Sequence, residues 1–241
     1  VEERLRQVNL GGTAVGTGLC APRKYIFDVI EQLRDITGLN LSRSENAVDQ
    51  TANSDSFVEV SGILKAHAQN LIKICGDIRL LNMLGELTFA SVQAGSSIMP
   101  GKVNPVILEA AIQVGIKTIA NDLVVTECAS RGSLQINEFL PLLGFALLES
   151  ILIMTTANTM LASFVDTFRV DVQRCQESLK KSTAIITAFV PVIGYERAQD
   201  LVKEFGASGK VTLREFLVEQ LGTECVEKTL SAQNLLSMGY R

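Results

Sequence analysis

The sequence is poor in charged residues, which occupy 20% of its 241 positions, whereas 47% of the positions are apolar. Typical globular domains carry about 25% charged residues. Intrinsic disorder is excluded, because disordered chains are highly charged and contain few apolar residues. A chain with so few charged side chains has little polar surface to offer to water, so the composition predicts self-association.

Histidine is almost absent, and closely paired cysteines are missing. His67 is the single histidine, and no two cysteines form a C-x-x-C pair. The cysteines are Cys20, Cys75, Cys128, Cys175 and Cys225. Structural and catalytic zinc sites need clustered His and Cys ligands, so we expect no metal site of this kind. An odd and scattered set of cysteines is typical of reduced thiols, which predicts a cytoplasmic protein.

Positive charge is not in excess either, since the formal net charge is −4. Acidic surfaces do not attract nucleic acids or anionic membranes, so we expect neither partner. The most apolar run, residues 139–154, contains Pro141, Gly144 and Glu149 and is shorter than the roughly 18–20 residues that span a bilayer. We therefore expect a buried core helix there. The charged N-terminal residues predict no signal peptide.

Long helices are predicted from apolar periodicity. Apolar residues recur every three or four positions from Phe57 to Leu81, which predicts one long amphipathic helix. A second helix is expected over about residues 106–127, with Asn104 as its cap and Pro105 at its first position. Residues 137–165 are apolar nearly all round, which is typical of a helix enclosed on every side.

The predicted fold class is all-α, with two domains. Residues 1–165 are expected to form a central bundle of long helices. Charged residues return after about residue 166, and residues 166–241 are expected to form a small C-terminal helical domain. Within it, Thr212 and Glu215 have the spacing of a capping box at the start of a short helix.

A glycine-rich segment at residues 11–18 is compatible with two nucleotide-binding motifs and with a simple turn. It begins like a P-loop, but Thr17 stands where that motif has lysine. The spacing of Gly16, Gly18 and Ala21 matches a loose dinucleotide fingerprint, which requires a βαβ unit that we do not expect here. A tight backbone passage is therefore favoured, and His67 is interpreted as a core or interface residue.

Residues 95–105, GSSIMPGKVNP, form a second glycine-rich segment, here called the 95–105 loop. Hydroxyl groups, a cation and free backbone donors in a loop that precedes a helix are suited to binding carboxylates or phosphates. A Ser-His-Asp hydrolase is disfavoured because the chain has a single histidine. The residues by themselves leave open an anion-binding loop or a glycine-rich linker.

The 95–105 loop resembles the signature loop of the aspartase/fumarase superfamily. Residues 11–19, 45–81 and 231–235 are similar to further stretches of the same proteins, so the resemblance covers essentially the whole chain, as the C-terminal half of a member. Details such as Ala21-Pro22, residues 74–81 and Glu149-Ser150 look more like the ammonia-lyase branch than like the fumarases.

The resemblance implies an all-α bundle to which four subunits contribute, and active sites built from three chains. It implies elimination of ammonia from L-aspartate to give fumarate, without a redox or organic cofactor; hydration of fumarate is the alternative. By the resemblance Ser96 is the general base, and Lys102 and Asn104 bind the small dicarboxylate substrate. Gly95, Ser97, Met99 and Gly101 shape the loop, and Glu109 supports the site by pairing with a histidine of another segment.

Several positions depart from the family pattern. Cys20 and Leu108 stand where asparagine and proline are expected, and the segment over residues 82–92 is short and lacks a Ser-Gly-Pro-Arg stretch. The Gly-Arg-Thr-His motif and a threonine- and serine-rich substrate loop of the family are absent from this sequence. The bundle is therefore expected to be incomplete, and a non-catalytic fragment that keeps only the fold is the further alternative.

Overall fold

The computed structural model describes residues 2–239, apart from the side chain of Lys181. The chain divides into two units. The first contains the residues up to Asn82 together with Phe89–Phe168, and the second contains Met83–Thr88 and the residues from Arg169 onward. Helices dominate both units, so the predicted all-α fold class is confirmed.

The first unit is built on three long helices with shorter elements before them. These are α1 (Glu2–Leu5), β1 (Gln7–Val8), α2 (Arg23–Thr37), β2 (Ser42–Arg43), α3 (Ala47–Ala52), α4 (Asp55–Met83), α5 (Val106–Ala129) and α6 (Leu140–Val165). Apolar side chains from α4, α5 and α6 share the core, with Cys75, Leu108 and Phe164 in one cluster and Val125 and Leu143 in another. The long helix predicted over residues 57–81 is confirmed.

Buried polar contacts fix how α4, α5 and α6 pair. Asp122 of α5 is buried and accepts hydrogen bonds from Ser61 Oγ at 2.8 Å and from Lys65 Nζ at 2.5 Å, both on α4. Its neighbour Asn121 donates to Glu149 Oε2 of α6 at 2.8 Å. A buried carboxylate must be matched by charge and hydrogen bonds. These contacts therefore specify one register for the three helices.

Helices α4 and α5 are in close contact at Gly115. A Cβ atom placed on Gly115 would lie 2.7 Å from Ile72 Cγ1 and 3.2 Å from the carbonyl oxygen of Ala68. Those distances are shorter than van der Waals contact allows. The absence of a side chain at this position is what permits the two helices to pack as they do.

Helix α6 differs from its prediction in two ways. It begins at Leu140 and not at residue 137, because the Asn137 side chain is used before the helix starts: its Oδ1 accepts from Phe139 N at 2.9 Å, and its Nδ2 donates to Ser54 Oγ at 3.1 Å. The chain also does not enclose α6 on every side, since Leu148 is 67% and Leu152 is 68% exposed. By length and composition α6 could cross a membrane, a property that core helices share.

The glycine-rich segment at residues 11–18 lies between two short parallel strands. Gln7 pairs with Ser42 and Val8 with Arg43, so the expectation that no parallel strand pair would form here was wrong. Strands of two residues are too short to leave a periodic signal. At Gly16, with φ of 84°, a Cβ atom would lie 2.3 Å from the Ala47 carbonyl oxygen. The segment is therefore a tight passage against α3, as predicted, and its backbone leaves no open cradle for a nucleotide at Gly16.

The second unit is a small cluster of helices around its own core. Its elements are β3 (Leu87–Thr88), antiparallel to β4 (Arg169–Val170), then α7 (Val172–Lys181), a 3-10 helix (Thr183–Phe189), α8 (Val190–Ile193), α9 (Tyr195–Ser208), α10 (Leu213–Leu221), α11 (Thr223–Thr229) and α12 (Ala232–Leu235). Phe189, Leu201 and Leu217 are completely buried in this core. The predicted cap at Thr212 is confirmed, because its Oγ1 accepts from Glu215 N at 3.3 Å.

Candidate active site

The 95–105 loop is closed on itself by three hydrogen bonds. Gly95 N donates to the Lys102 carbonyl oxygen at 2.7 Å, and Lys102 N donates to the Met99 carbonyl oxygen at 3.2 Å. The Asn104 side chain donates from Nδ2 to the Gly95 carbonyl oxygen at 3.2 Å. The first and last parts of the loop are thereby held together, immediately before α5 begins.

Gly95 and Gly101 allow this closure in different ways. A Cβ atom on Gly95 would lie 2.6 Å from the Lys102 carbonyl oxygen. Only glycine at position 95 therefore lets the end of the loop pack this closely against its start. Gly101 has a φ of 79°, a left-handed conformation that favours glycine, and open space surrounds the position where its Cβ would lie.

Ser96 is half-buried near the start of the loop. Its Oγ accepts hydrogen bonds from the backbone N–H groups of Ile98 and Met99, each at 3.1 Å. Two backbone donors aimed at one oxygen stabilise negative charge on it, as the donors of an oxyanion hole do. The arrangement therefore lowers the energetic cost of removing the hydroxyl proton.

The remaining loop residues face solvent in this chain. Lys102 is exposed, and its side chain makes no hydrogen bond or ion pair with the described residues. Ser97 and Met99 are exposed as well, and Ile98 is 86% exposed. The loop thus presents a cation and a half-buried hydroxyl on the same short segment.

Two predictions about the entrance to α5 need correction. Asn104 does not cap the helix, because its side-chain amide is the tie to Gly95, and Pro105 occupies the cap position without a side-chain hydrogen bond. Leu108, which replaces a proline of the family pattern, is completely buried with Cys75 and Phe164. A leucine in the first turn of α5 thus anchors the end of the loop to the core.

Glu109 lies on α5 just after the loop and has a partner that the sequence did not reveal. Its Oε1 accepts from Arg79 Nη2 of α4 at 3.3 Å, and both side chains are partly exposed. Arg79 is thirty positions away in sequence, and no motif links it to Glu109. The contact places a positive charge beside the carboxylate that the sequence pattern assigns to the site.

His67 is not part of this constellation. It lies on α4, where its Nε2 is hydrogen-bonded to the Asn158 side chain of α6, and it is exposed in the chain. The cysteines are all free thiols, and burial raises the pKa of Cys75. Among residues 2–239, no group of three or more His, Cys, Asp and Glu side chains is arranged to hold a metal ion.

The first unit is thus a bundle of long helices that carries a glycine- and serine-rich loop immediately before α5. Residues 1–119 match the model of a family described as Lyase. The chain belongs to this family, within the aspartase/fumarase superfamily.

Among its relatives are two aspartate ammonia-lyases. The protein from Pseudomonas aeruginosa is 40% identical over 91% of this chain and 48% of its own length. The protein from Escherichia coli is 37% identical over 99% of this chain and 52% of its own length. The chain therefore spans about half the length of the curated relatives that it matches.

Solved structures show the same architecture. A fumarate lyase:delta crystallin from Brucella melitensis, bound to cobalt, has a TM-score of 0.85 and 41% identity over 94% of this chain and 51% of that chain. A class II fumarase from Schistosoma mansoni has a TM-score of 0.81 and 26% identity, over 95% of this chain and 54% of that chain. The fold expected from the resemblance is thereby confirmed.

Proposed function

We propose that the chain is the C-terminal half of an aspartate ammonia-lyase, which converts L-aspartate reversibly to fumarate and ammonia. The observation that carries the proposal is the 95–105 loop, in which Ser96 Oγ accepts two backbone N–H hydrogen bonds at 3.1 Å and the exposed cation Lys102 follows six positions later. The sequence identity of 40% and 37% with two aspartate ammonia-lyases, over 91% and 99% of this chain, supports this substrate.

In the proposed mechanism, deprotonated Ser96 takes the proton from C3 of aspartate, the carbon next to the side-chain carboxylate. The electron pair left on C3 spreads into that carboxylate as a dianionic aci-form. Collapse of this form makes the C2–C3 double bond, the C2–N bond breaks, and ammonia leaves with the electron pair. The transferred proton then passes from Ser96 to solvent, which restores the base.

Lys102 and Asn104 are assigned to the substrate carboxylates. The lysine opposes the charge that builds up on the carboxylate in the transition state, where such stabilisation lowers the barrier. Asn104 has one N–H tied to Gly95 and a second available to substrate. Gly95, Ser97, Met99 and Gly101 give the loop its shape, and Glu109, held by Arg79, supports the site. No organic cofactor takes part in these steps.

Self-association into a homotetramer is part of the proposal. Leu148 and Leu152 are two-thirds exposed on α6, and an apolar face of this kind is typical of a surface that packs against another subunit. Sedimentation velocity of the parent chain and of a Leu148→Asn, Leu152→Asn variant tests this, with Ile36→Asn as a matched exposed control. A folded monomer for the parent chain at micromolar concentration would overturn the tetramer. The proposed compartment is the cytoplasm.

Fumarate hydratase is the second candidate, supported by the structural likeness to a class II fumarase. The test combines this chain with the separately produced N-terminal half of the Pseudomonas aeruginosa relative, since one wall of a site cannot orient the substrate. Well-oriented partners contribute about 7–11 kcal/mol to lowering a barrier. We expect ammonia and fumarate from L-aspartate, and no activity from either half alone.

Variants of the mixture test the assigned roles. Ser96→Ala should lower kcat by about 10²–10⁴-fold with little change in KM, because only proton transfer is lost. Lys102→Met should affect both constants, and Ser130→Ala, at an exposed serine outside the loop, serves as the matched control. A Ser96→Ala mixture with most of its turnover would refute the base. Activity with L-malate alone would favour the hydratase, and no activity with either substrate would favour a non-catalytic fragment.

A further inference from the structure

A cavity of about 670 Å³ lies in the second unit and is lined by none of the residues assigned to the lyase reaction. It is bordered by the end of α7, the start of the 3-10 helix, and residues of α10, α11 and α12. Small-molecule sites have volumes of roughly 300–1,000 Å³ and are lined mainly by apolar side chains with a few polar groups. The size of this cavity falls within that range.

The apolar part of the cavity is continuous with the core of the unit. Ile185 and Leu230 line it and also pack against the buried core cluster. Leu179 and Leu235 also line it and are 56% and 50% exposed. A ligand with an apolar body would remove these two leucines from water while resting on side chains that the core already holds in place.

The polar part of the cavity carries an excess of positive charge. Arg214 donates from Nη2 to Glu227 Oε1, so these two charges neutralise each other. Lys180 is exposed at the cavity, and its side chain makes no hydrogen bond or ion pair with the described residues. Ser182 lines the same cavity, and its Oγ accepts from Ala184 N, which leaves the hydroxyl proton available to a ligand.

The geometry points to a binding site for an amphipathic carboxylate, with its unbranched apolar tail on the leucine wall and its carboxylate beside Lys180 and Ser182. Charge complementarity selects an anion over a neutral or cationic amphiphile, and the apolar side chains of the lining select a tail over a short dicarboxylate. The site is thus distinct in ligand class from the 95–105 loop, and it does not depend on the proposed reaction.

Isothermal titration of the full chain with octanoate tests the assignment. We expect one molecule per chain, with at least tenfold weaker binding of 1-octanol, of octyltrimethylammonium and of succinate. Lys180→Glu should weaken octanoate binding at least tenfold, whereas Lys180→Arg should retain it. Lys24→Glu makes the same charge change on an exposed lysine of the first unit and should leave binding unchanged.

A second variant examines the apolar wall without touching the charge. Leu179→Gln should weaken octanoate binding at least threefold while circular dichroism and the melting temperature stay those of the parent chain. Binding at several equivalents, or binding that both Lys180→Glu and Leu179→Gln leave intact, would place octanoate on another apolar surface such as α6 and would overturn the proposal. A change in sedimentation caused by Leu179→Gln, with octanoate binding unaltered, would make the cavity a contact between copies and would equally overturn it.

Discussion

Asn104 donates a hydrogen bond of 3.2 Å to the carbonyl oxygen of Gly95, so residues nine positions apart hold the two ends of the candidate catalytic loop together. The same two ends are joined by the Gly95 N–H, which donates to Lys102 at 2.7 Å. The orientation of Ser96 therefore depends on a loop closed by one side-chain and one backbone hydrogen bond at Gly95. A loop built in this way is sensitive to changes at Gly95.

Gly95→Ala is expected to open the loop without unfolding the protein. The new Cβ would lie 2.6 Å from the Lys102 carbonyl oxygen, so the hydrogen bond between these residues must break. Surface substitutions that break no specific interaction usually change the free energy of unfolding by less than about 0.5 kcal/mol. Gly95→Ala loses one backbone hydrogen bond, so the loss in free energy of unfolding should stay below about 1.5 kcal/mol. Hydrogen exchange of the peptide covering residues 95–105 should accelerate in Gly95→Ala but not in Ser130→Ala, a change at an exposed serine outside the loop. Unchanged exchange would contradict the closure.

Lys65→Met is expected to destabilise the first unit through Asp122. The Asp122 side chain is only 8% exposed, and loss of the lysine leaves its charge with Ser61 as the remaining side-chain donor. A hydrogen bond to a charged group contributes about 1.5–3 kcal/mol, so urea denaturation should show a loss of about 2 kcal/mol. Lys73→Met, on the same helix, breaks an exposed pair with Asp77 and should cost less than about 1 kcal/mol. Equal effects of the two changes would contradict the importance of the buried carboxylate.

Cys20→Gly is expected to stabilise the chain. Cys20 has a φ of 67°, a conformation that costs a residue with a Cβ roughly 1–2 kcal/mol. Glycine removes that strain but gains freedom when unfolded, so the net gain should be about 0.5–1 kcal/mol. Thermal melting provides the measurement. Cys225→Gly, inside α11, should lower the melting temperature, and the same direction of change for both variants would show that the strain at Cys20 is not significant.

Glu149 should make stability depend on pH in the acidic range. Its hydrogen bonds from Lys117 and Asn121 lower the pKa of its carboxyl below the ordinary value of 4.5. A lowered pKa means that the folded state favours the carboxylate, so the contribution is complete above the unfolded pKa and is lost as pH falls through the folded pKa. Glu149→Gln should therefore melt at a lower temperature than the parent chain at pH 7. In strong acid the melting temperatures of the two proteins should become equal.

Lys117→Met provides the control for this pH dependence. The Lys117 side chain is the largest cause of the lowered pKa of Glu149, and it lies 2.9 Å from Oε2. The variant should show the same convergence in acid, and combining it with Glu149→Gln should add little. A constant difference from the parent chain at all pH values would contradict an ionic origin.

The long helices were predictable because their signal is repeated many times. The apolar stripe from Phe57 to Leu81 fixed the position of α4, and the loop before residue 106 marked the start of α5. The start of α6 was predicted too early, since the sequence does not show that Asn137 bonds to Ser54, a residue from a distant segment.

The site was predictable only in part. The 95–105 loop could be found because its residues are contiguous. The sequence pattern predicted Asn104 as a helix cap, whereas its side-chain amide ties the loop to Gly95. The contact between Arg79 and Glu109 joins two helices at a single point, and one contact leaves no periodic trace. The strands Gln7–Val8 and Ser42–Arg43 were missed for a similar reason, because two residues cannot display alternation.

The position of the 95–105 loop depends on how α4 and α5 pack at Gly115. The glycine lies six positions beyond Glu109, or about 9 Å along α5 at 1.5 Å per residue. If α5 pivots about its contact with α4 at Gly115, the short segment of α5 between that contact and the loop moves as one rigid piece. A methyl group at position 115 would push α4 and α5 apart there and would move Glu109 relative to Arg79, together with the end of the loop that joins α5. A single side-chain carbon at a distance from the loop would therefore disturb the geometry around Ser96.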